Sequence, residues 1–127
     1  MVEATKRKPI LSIDWDGTLH NYTSGWQGAH IIEDCGLTEG AVTFLREASK
    51  HFTIAIFSSR SHQTGGIDAM KTYLARFMLG DDRKVFDAIE WPTTKPPAFL
   101  TIDDRAITFT GKWPDPVALL PFRPWNK

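Results

Sequence analysis

The feature that most limits what this chain can become is a repeated boundary, in which short apolar runs stop at polar residues able to do chemistry. Residues 10–13 end at Asp14, residues 53–57 end at Ser58-Ser59-Arg60, and residues 98–102 end at Asp103-Asp104. Runs this short and this apolar, bounded by turn residues, suit strands buried on both faces. Between the first two, Ala41, Phe44, Leu45 and Ala48 fall at helical spacing within 39–50, with Arg46, Glu47 and Lys50 on the other face. After the second, Ile67, Met70, Leu74, Phe77 and Met78 repeat the helical period, preceded by Gly65-Gly66 and followed by Gly80 as a C-terminal cap. Residues 86–90 read as one more strand, and 107–110 as an edge strand.

Strands alternating with helices predict an α/β chain: a Rossmann-like parallel sheet with right-handed crossovers and helices on both faces, three layers in all. At 127 residues, with 42% apolar and 24% charged residues, one globular domain spanning 1–127 is the expectation. A chain of this size buries roughly two-thirds of the surface that its unfolded form exposes, enough for a core without staples. No apolar run approaches the roughly 18 residues of a membrane span, so a soluble protein with no membrane partner is expected. Fifteen basic and fifteen acidic residues cancel, so no overall field draws the chain to nucleic acid. The lone Cys35 fits a reducing compartment, and the charged start of the chain lacks the apolar core of a signal peptide, which predicts a cytoplasmic protein. Residues 1–8, with the basic cluster Lys6-Arg7-Lys8, read as a flexible N-terminus, and 113–127 as an arm rich in Pro and Trp. Within that arm, Pro116 can open a helical turn capped by Asp115, with Pro121 limiting it.

In a parallel sheet, residues that follow strands gather at one edge, where ligand sites of α/β proteins form. Asp14, Asp16, Ser58, Asp103 and Asp104 therefore converge although they are far apart in the chain. Carboxylates gathered in one place repel one another unless a cation sits among them. With no histidine or thiolate at these strand ends, the all-oxygen set favours magnesium over zinc.

The run Asp14-Trp15-Asp16-Gly17-Thr18-Leu19 resembles the first motif of the haloacid dehalogenase-like (HAD) phosphohydrolases. Ser58 after its apolar strand, Lys95 in a Pro-rich segment, and Asp103-Asp104 after Leu100-Thr101-Ile102 are similar to the second, third and fourth motifs, in the family's order. The resemblance spans residue 10 to about residue 105 and implies a HAD-like fold. It implies that Asp14 is a nucleophile forming an aspartyl-phosphate, and that Asp16 is the general acid and then the base for the hydrolytic water. It implies that Ser58 and Lys95 stabilise the phosphoryl group electrostatically. It further implies a magnesium ion held by Asp14, the backbone carbonyl of Asp16, and one or both of Asp103 and Asp104. A raised pKa for Asp16 in the substrate complex belongs to the same expectation.

Gly17 would let the backbone turn beside the phosphate. Thr18, Ser59, Arg60 and His20 are the other candidates for substrate contact. Ser58, first past the strand, is preferred over Ser59 for the phosphate. Arg60 reads either as a phosphate or substrate ligand or as a surface ion pair. Tyr22, Trp26 and His30 lie with His20 where the family places a short helical turn and a flap. For the histidines a structural hydrogen bond is the plainer reading, and for Trp26 packing. Trp113, Phe122 and Trp125 read as contacts within the domain or with a second subunit.

Neither the 17–38 gap nor the 80–95 gap has room for an inserted cap domain. An open site suits a bulky phosphorylated substrate, such as a polynucleotide end or a protein, or else one closed by a neighbouring subunit in a homo-oligomer. A phosphate-accepting switch similar to response-regulator receiver domains is the alternative, though receivers carry the acidic pair first and the lysine last. A non-catalytic binding protein on a HAD fold is a third possibility.

Overall fold

The computed structural model describes residues 8–127. The expected flexible N-terminus and its basic cluster fall outside the described residues except for Lys8, whose Nζ donates to the Ser49 carbonyl at 2.8 Å. The chain is α/β. Three strands, β1 (Ile10–Ile13), β2 (Thr53–Ile56) and β3 (Leu100–Ile102), form a parallel sheet in the order β2-β1-β3. Three helices, α1 (Ala41–Ala48), α2 (Gly66–Ala75) and α3 (Asp82–Ala88), lie between β1 and β3 in the chain.

The strands form where the apolar runs predict them, and burial explains why. Successive side chains of a strand alternate between faces. Leu11 and Ile13 on one face of β1 and Ser12 on the other are all buried, as are Ile54, Ala55 and Ile56 in β2. These two strands are covered on both sides, whereas β3 is exposed throughout. The core joins Leu11, Ile13, Ile54 and Ile56 to Ala41, Leu45 and Ala48 of α1 and to Met70, Tyr73 and Leu74 of α2. All but Tyr73 are positions that the helical period marks as apolar, whereas Phe44, which it also marks, is exposed.

Three expectations are corrected. Residues 86–90 are not a strand: 82–88 is helical, and Glu90 alone pairs with the sheet, its N–H donating to the Ile54 carbonyl and its carbonyl accepting from the Ile56 N–H, each at 2.9 Å. Val85, Phe86 and Ile89 suit a helical face as well as a strand, and Asp82 in the first turn favours the helix dipole. The same aspartate takes a two-pronged contact from Arg46, with Nε and Nη2 at 2.7 and 2.8 Å, fastening α3 to α1. Gly80 does not cap α2, which ends at Ala75; it lies in the turn to α3 with φ +58°. Residues 107–110 form no strand and stay exposed, with the Phe109 and Trp113 rings 4.6 Å apart.

The last stretch behaves as its prolines dictate and then turns back. Asp115 Oδ1 accepts from the Val117 N–H at 3.1 Å and opens a 3₁₀ turn over Pro116–Leu119, which stops short of Pro121. The chain then returns to the loop after β1. Trp125 Nε1 donates to the Gly17 carbonyl at 2.6 Å, Asn126 Nδ2 to the Asn21 carbonyl at 2.8 Å, and Lys127 Nζ to the Tyr22 carbonyl at 3.3 Å.

Because the core lies between the sheet and α1 and α2, Leu74→Ala should cost about 2–5 kcal/mol in urea unfolding, the usual range for a buried leucine. Leu120→Ala, at an exposed position in the arm, should stay within about 0.5 kcal/mol of wild type. Equal losses for the two would mean that the core is elsewhere.

Candidate functional site

The site is built on the carboxyl edge of the sheet. In register, Ile13 lies opposite both Ile56 and Ile102, so the next residues, Asp14 and Asp103, emerge side by side. The Asp14 N–H continues the ladder by donating to the Ile102 carbonyl at 3.0 Å. Asp14, Asp103 and Asp104 each offer a carboxylate oxygen, all within 4.8 Å of one another.

The Asp104 side chain is enclosed, only 4% exposed. Its Oδ1 is buried and has no hydrogen-bond partner. Gly17 makes this possible: with φ +77°, a side chain there would place its Cβ 2.3 Å from Asp104 Oδ2. The glycine therefore serves both the turn and the close approach of the carboxylate. Arg105 is the nearest cation, its Nε 3.6 Å from Asp104 Oδ2, while its N–H donates to Asp103 Oδ1 at 2.7 Å.

Burial pushes the Asp14 carboxyl up to about 8, against the hydrogen bond from the Trp15 N–H, and the neighbouring Asp103 and Asp104 push in the same direction as burial. A cation among the three carboxylates would relieve both the desolvation and the like charge. The fit of a metal follows from the donor set. Three carboxylates supply only oxygen, and one buried oxygen is left unsatisfied, which suits a hard dication.

Asp16 does not join this cluster. Its carboxylate faces Arg60, with Nε at 2.9 and 3.1 Å from the two oxygens and Nη2 at 2.9 Å from Oδ1. Arg60 is buried, only 2% exposed, and its Nη1 lies 2.8 to 3.0 Å from the carbonyls of Gly28, Ala29 and Ile31. The expectation of a surface ion pair is thus corrected: Arg60 is an internal anchor, bonded to Asp16 and to three loop carbonyls.

Ser58 is buried at the end of β2, and its Oγ accepts from the Arg60 N–H at 3.0 Å, which leaves the hydroxyl proton able to donate elsewhere. Ser59 is exposed and accepts from Gln63 Nε2 through its carbonyl at 2.8 Å. Thr18 Oγ1 is buried without a partner. Lys95 is exposed, and among the described residues it makes no ion pair or hydrogen bond.

His20 is corrected as a substrate contact. It is 0% exposed, stacked on Trp15 with ring centroids 5.8 Å apart. Its Nδ1 accepts from the Tyr22 N–H at 3.1 Å, so the proton is on Nε2, which donates to the Glu33 carbonyl at 2.7 Å. Together with Asn21, whose Nδ2 lies 3.0 to 3.1 Å from the carbonyls of Cys35, Gly36 and Leu37, it holds the 20–38 loop in place. No short helical turn forms in that loop. Sequence reasoning missed Trp125 as a neighbour of Gly17 and the loop carbonyls around Arg60. Backbone acceptors carry no sequence signal, and nothing in a Pro-rich tail announces where it lands.

Comparison with family models, with curated proteins and with solved structures finds no match, so a functional reading of this site rests on the chain's own residues.

The raised Asp14 acid has a definite consequence for stability. With a folded value near 8 and an unfolded value of 3.8, the folded chain holds a proton that the unfolded chain has released, so stability falls as pH rises from about 4 to about 8. In chelator, the unfolding temperature should drop across that window, and Asp14→Asn should remove most of the slope. Added magnesium should raise the midpoint more at about pH 8 than at about pH 5, each kcal/mol appearing as about 4 °C. A flat profile in both proteins would refute the buried-acid assignment.

Proposed function

We propose that this chain is a magnesium-dependent phosphohydrolase of HAD-like type, a single three-layer Rossmann-like domain without a cap, which cleaves phosphomonoesters through an aspartyl-phosphate. The observation that carries the reading is the closeness of Asp14, Asp103 and Asp104, with one buried and unpartnered oxygen on Asp104. The motif order along the chain supports it, as does the absence of any inserted domain in the 20–38 loop or between α2 and β3.

In the first step an Asp14 oxygen attacks phosphorus, forming the O–P bond as the bond from phosphorus to the ester oxygen breaks. Asp16 delivers a proton to that departing oxygen. In the second step Asp16 takes a proton from water, the water oxygen bonds to phosphorus, and the Asp14–phosphorus bond breaks to release inorganic phosphate. Splitting one displacement into two lowers each barrier. Magnesium, held by Asp14, Asp103 and Asp104 with the Asp16 carbonyl, would offset the charge between nucleophile and phosphoryl oxygens. Ser58, with its proton free, donates to a phosphoryl oxygen, and Thr18 Oγ1 is a second donor close to Gly17. Lys95 acts only when an anionic substrate draws it inward.

The exposed site admits a bulky phosphorylated substrate or a lid from a second copy, and the single thiol Cys35 accords with the cytoplasm. No helix among the described residues is long and apolar enough to cross a membrane.

The test is phosphate release from p-nitrophenyl phosphate with and without magnesium. Wild type should turn over only with the metal, and Asp14→Asn should lose roughly a thousandfold or more. A phosphoprotein that accumulates without turnover would favour the receiver-like switch, and absence of both would end the phosphotransfer reading.

A further inference from the structure

The tail of the chain carries an apolar surface that no described residue covers. Ile107, Phe109, Trp113 and Leu119 line a cavity of about 420 Å³, and Ile107 and Leu119 also line a second, of about 280 Å³, together with Phe122 and Arg105. The two shared residues make this one continuous surface of five large apolar side chains, each near half exposed or more. Trp113 projects from it, 86% exposed and the most exposed large apolar side chain among the described residues, with its ring against Phe109. At about 150–250 Å² for an aromatic side chain, and less for an aliphatic one, these exposures leave on the order of 600 Å² open. That is the upper end of what a monomer shows in one patch, and it approaches the roughly 800 Å² that each partner buries in a standard interface. Trp125, by contrast, is tied into the domain through the Gly17 carbonyl.

We infer that this surface, within residues 105–122, is the interface through which two copies of the chain pair about a two-fold axis. Its area is close to what a stable dimer needs from each copy. The projecting indole of Trp113 stands at the wall of the larger cavity, and a knob beside a hole is what a two-fold axis satisfies, because each copy then fills the cavity of the other. The charged residues that line the surface, Arg105 and Lys112, are both basic, so it offers a different protein no pattern of paired charges, and homodimer interfaces are the more apolar class. Residues 1–7 bring Lys6 and Arg7, of the same sign as Arg105 and Lys112, and so make a poor cover for it. Arg105 belongs both to this surface and to the neighbourhood of Asp104, with Nε 3.6 Å from Oδ2, so the second copy sits beside the carboxylate edge.

The test is the mass of the full chain in solution, followed by sedimentation equilibrium across a range of concentrations. Wild type should approach twice the single-chain mass at about 100 µM and dissociate with a Kd on the order of micromolar, the affinity of a modest apolar interface. Amide exchange in wild type should slow within 105–122 on going from dilute to concentrated protein and stay unchanged in α2. Trp113→Glu and Ile107→Glu should each weaken pairing about thirtyfold or more. Leu79→Glu, at an exposed apolar residue in the turn before α3, should leave pairing unchanged. Trp113→Ala removes the ring without adding a charge, so it carries the same expectation where a glutamate variant fails to fold. A wild type that stays monomeric at the highest concentration overturns the inference and gives the surface to a different protein. A dimer that survives Trp113→Ala, that Leu79→Glu weakens equally, or that slows exchange outside 105–122 instead overturns it as well. None of these readings uses phosphate release, so the hydrolase reading stands or falls separately.

Discussion

Strand β1 is hydrogen-bonded along both edges, to β2 on one side and β3 on the other, and the place of each candidate site residue follows from that double pairing. Its register sets Ile13 against Ile56 and Ile102, which brings Asp14 beside Asp103 and aims both at the same edge. A slip of one residue would turn every side chain of the strand to the opposite face and carry Asp14 out of the cluster. What prevents the slip is burial: Leu11 and Ile13 occupy the core on one face and Ser12 is enclosed on the other, so no alternative register keeps the apolar groups dry. Positioning of the acids and packing of the core are thus the same fact.

Asp14 and Asp16 flank Trp15, which is buried and stacked on His20, and the two acids meet opposite electrostatic circumstances. Asp16 has an arginine of its own, held in place by backbone carbonyls. Asp14 faces Asp103 and Asp104, makes no ion pair among the described residues, and is pushed up by burial and by those two like charges. One acid is charge-balanced from within and the other is left to be balanced from outside. That asymmetry is a stronger pointer to chemistry than the presence of aspartates alone, since acidic groups at loop ends are common.

Much of this was legible in the sequence, and for a physical reason. Ile10–Ile13, Thr53–Ile56, and the helices containing Leu45 and Leu74 follow from apolar periodicity, because burial is the interaction that periodicity encodes. The convergence of Asp14, Asp103 and Asp104 follows from strand order in a parallel sheet. Phe86 to Glu90 was not legible, because a short apolar stretch suits a helix or a strand, and here the Arg46 fork on Asp82 and the packing of α3 on α1 favour the helix. Arg60 was misjudged because nothing local distinguishes a buried arginine from an exposed one; its partners are Asp16 and three carbonyls far away in the chain. Lys95 fits the motif order, yet in its exposed Pro-rich segment it makes no ion pair among the described residues.

The contact of Trp125 with the Gly17 carbonyl joins residues near opposite ends of the chain. During synthesis β1 and the turn after it leave the ribosome long before the indole that bonds to that turn. The loop carrying Asp16 therefore gains this partner only after a further 108 positions have been made. A nascent chain can assemble β1 and its turn early, but this contact at its polar edge waits for Trp125 to emerge.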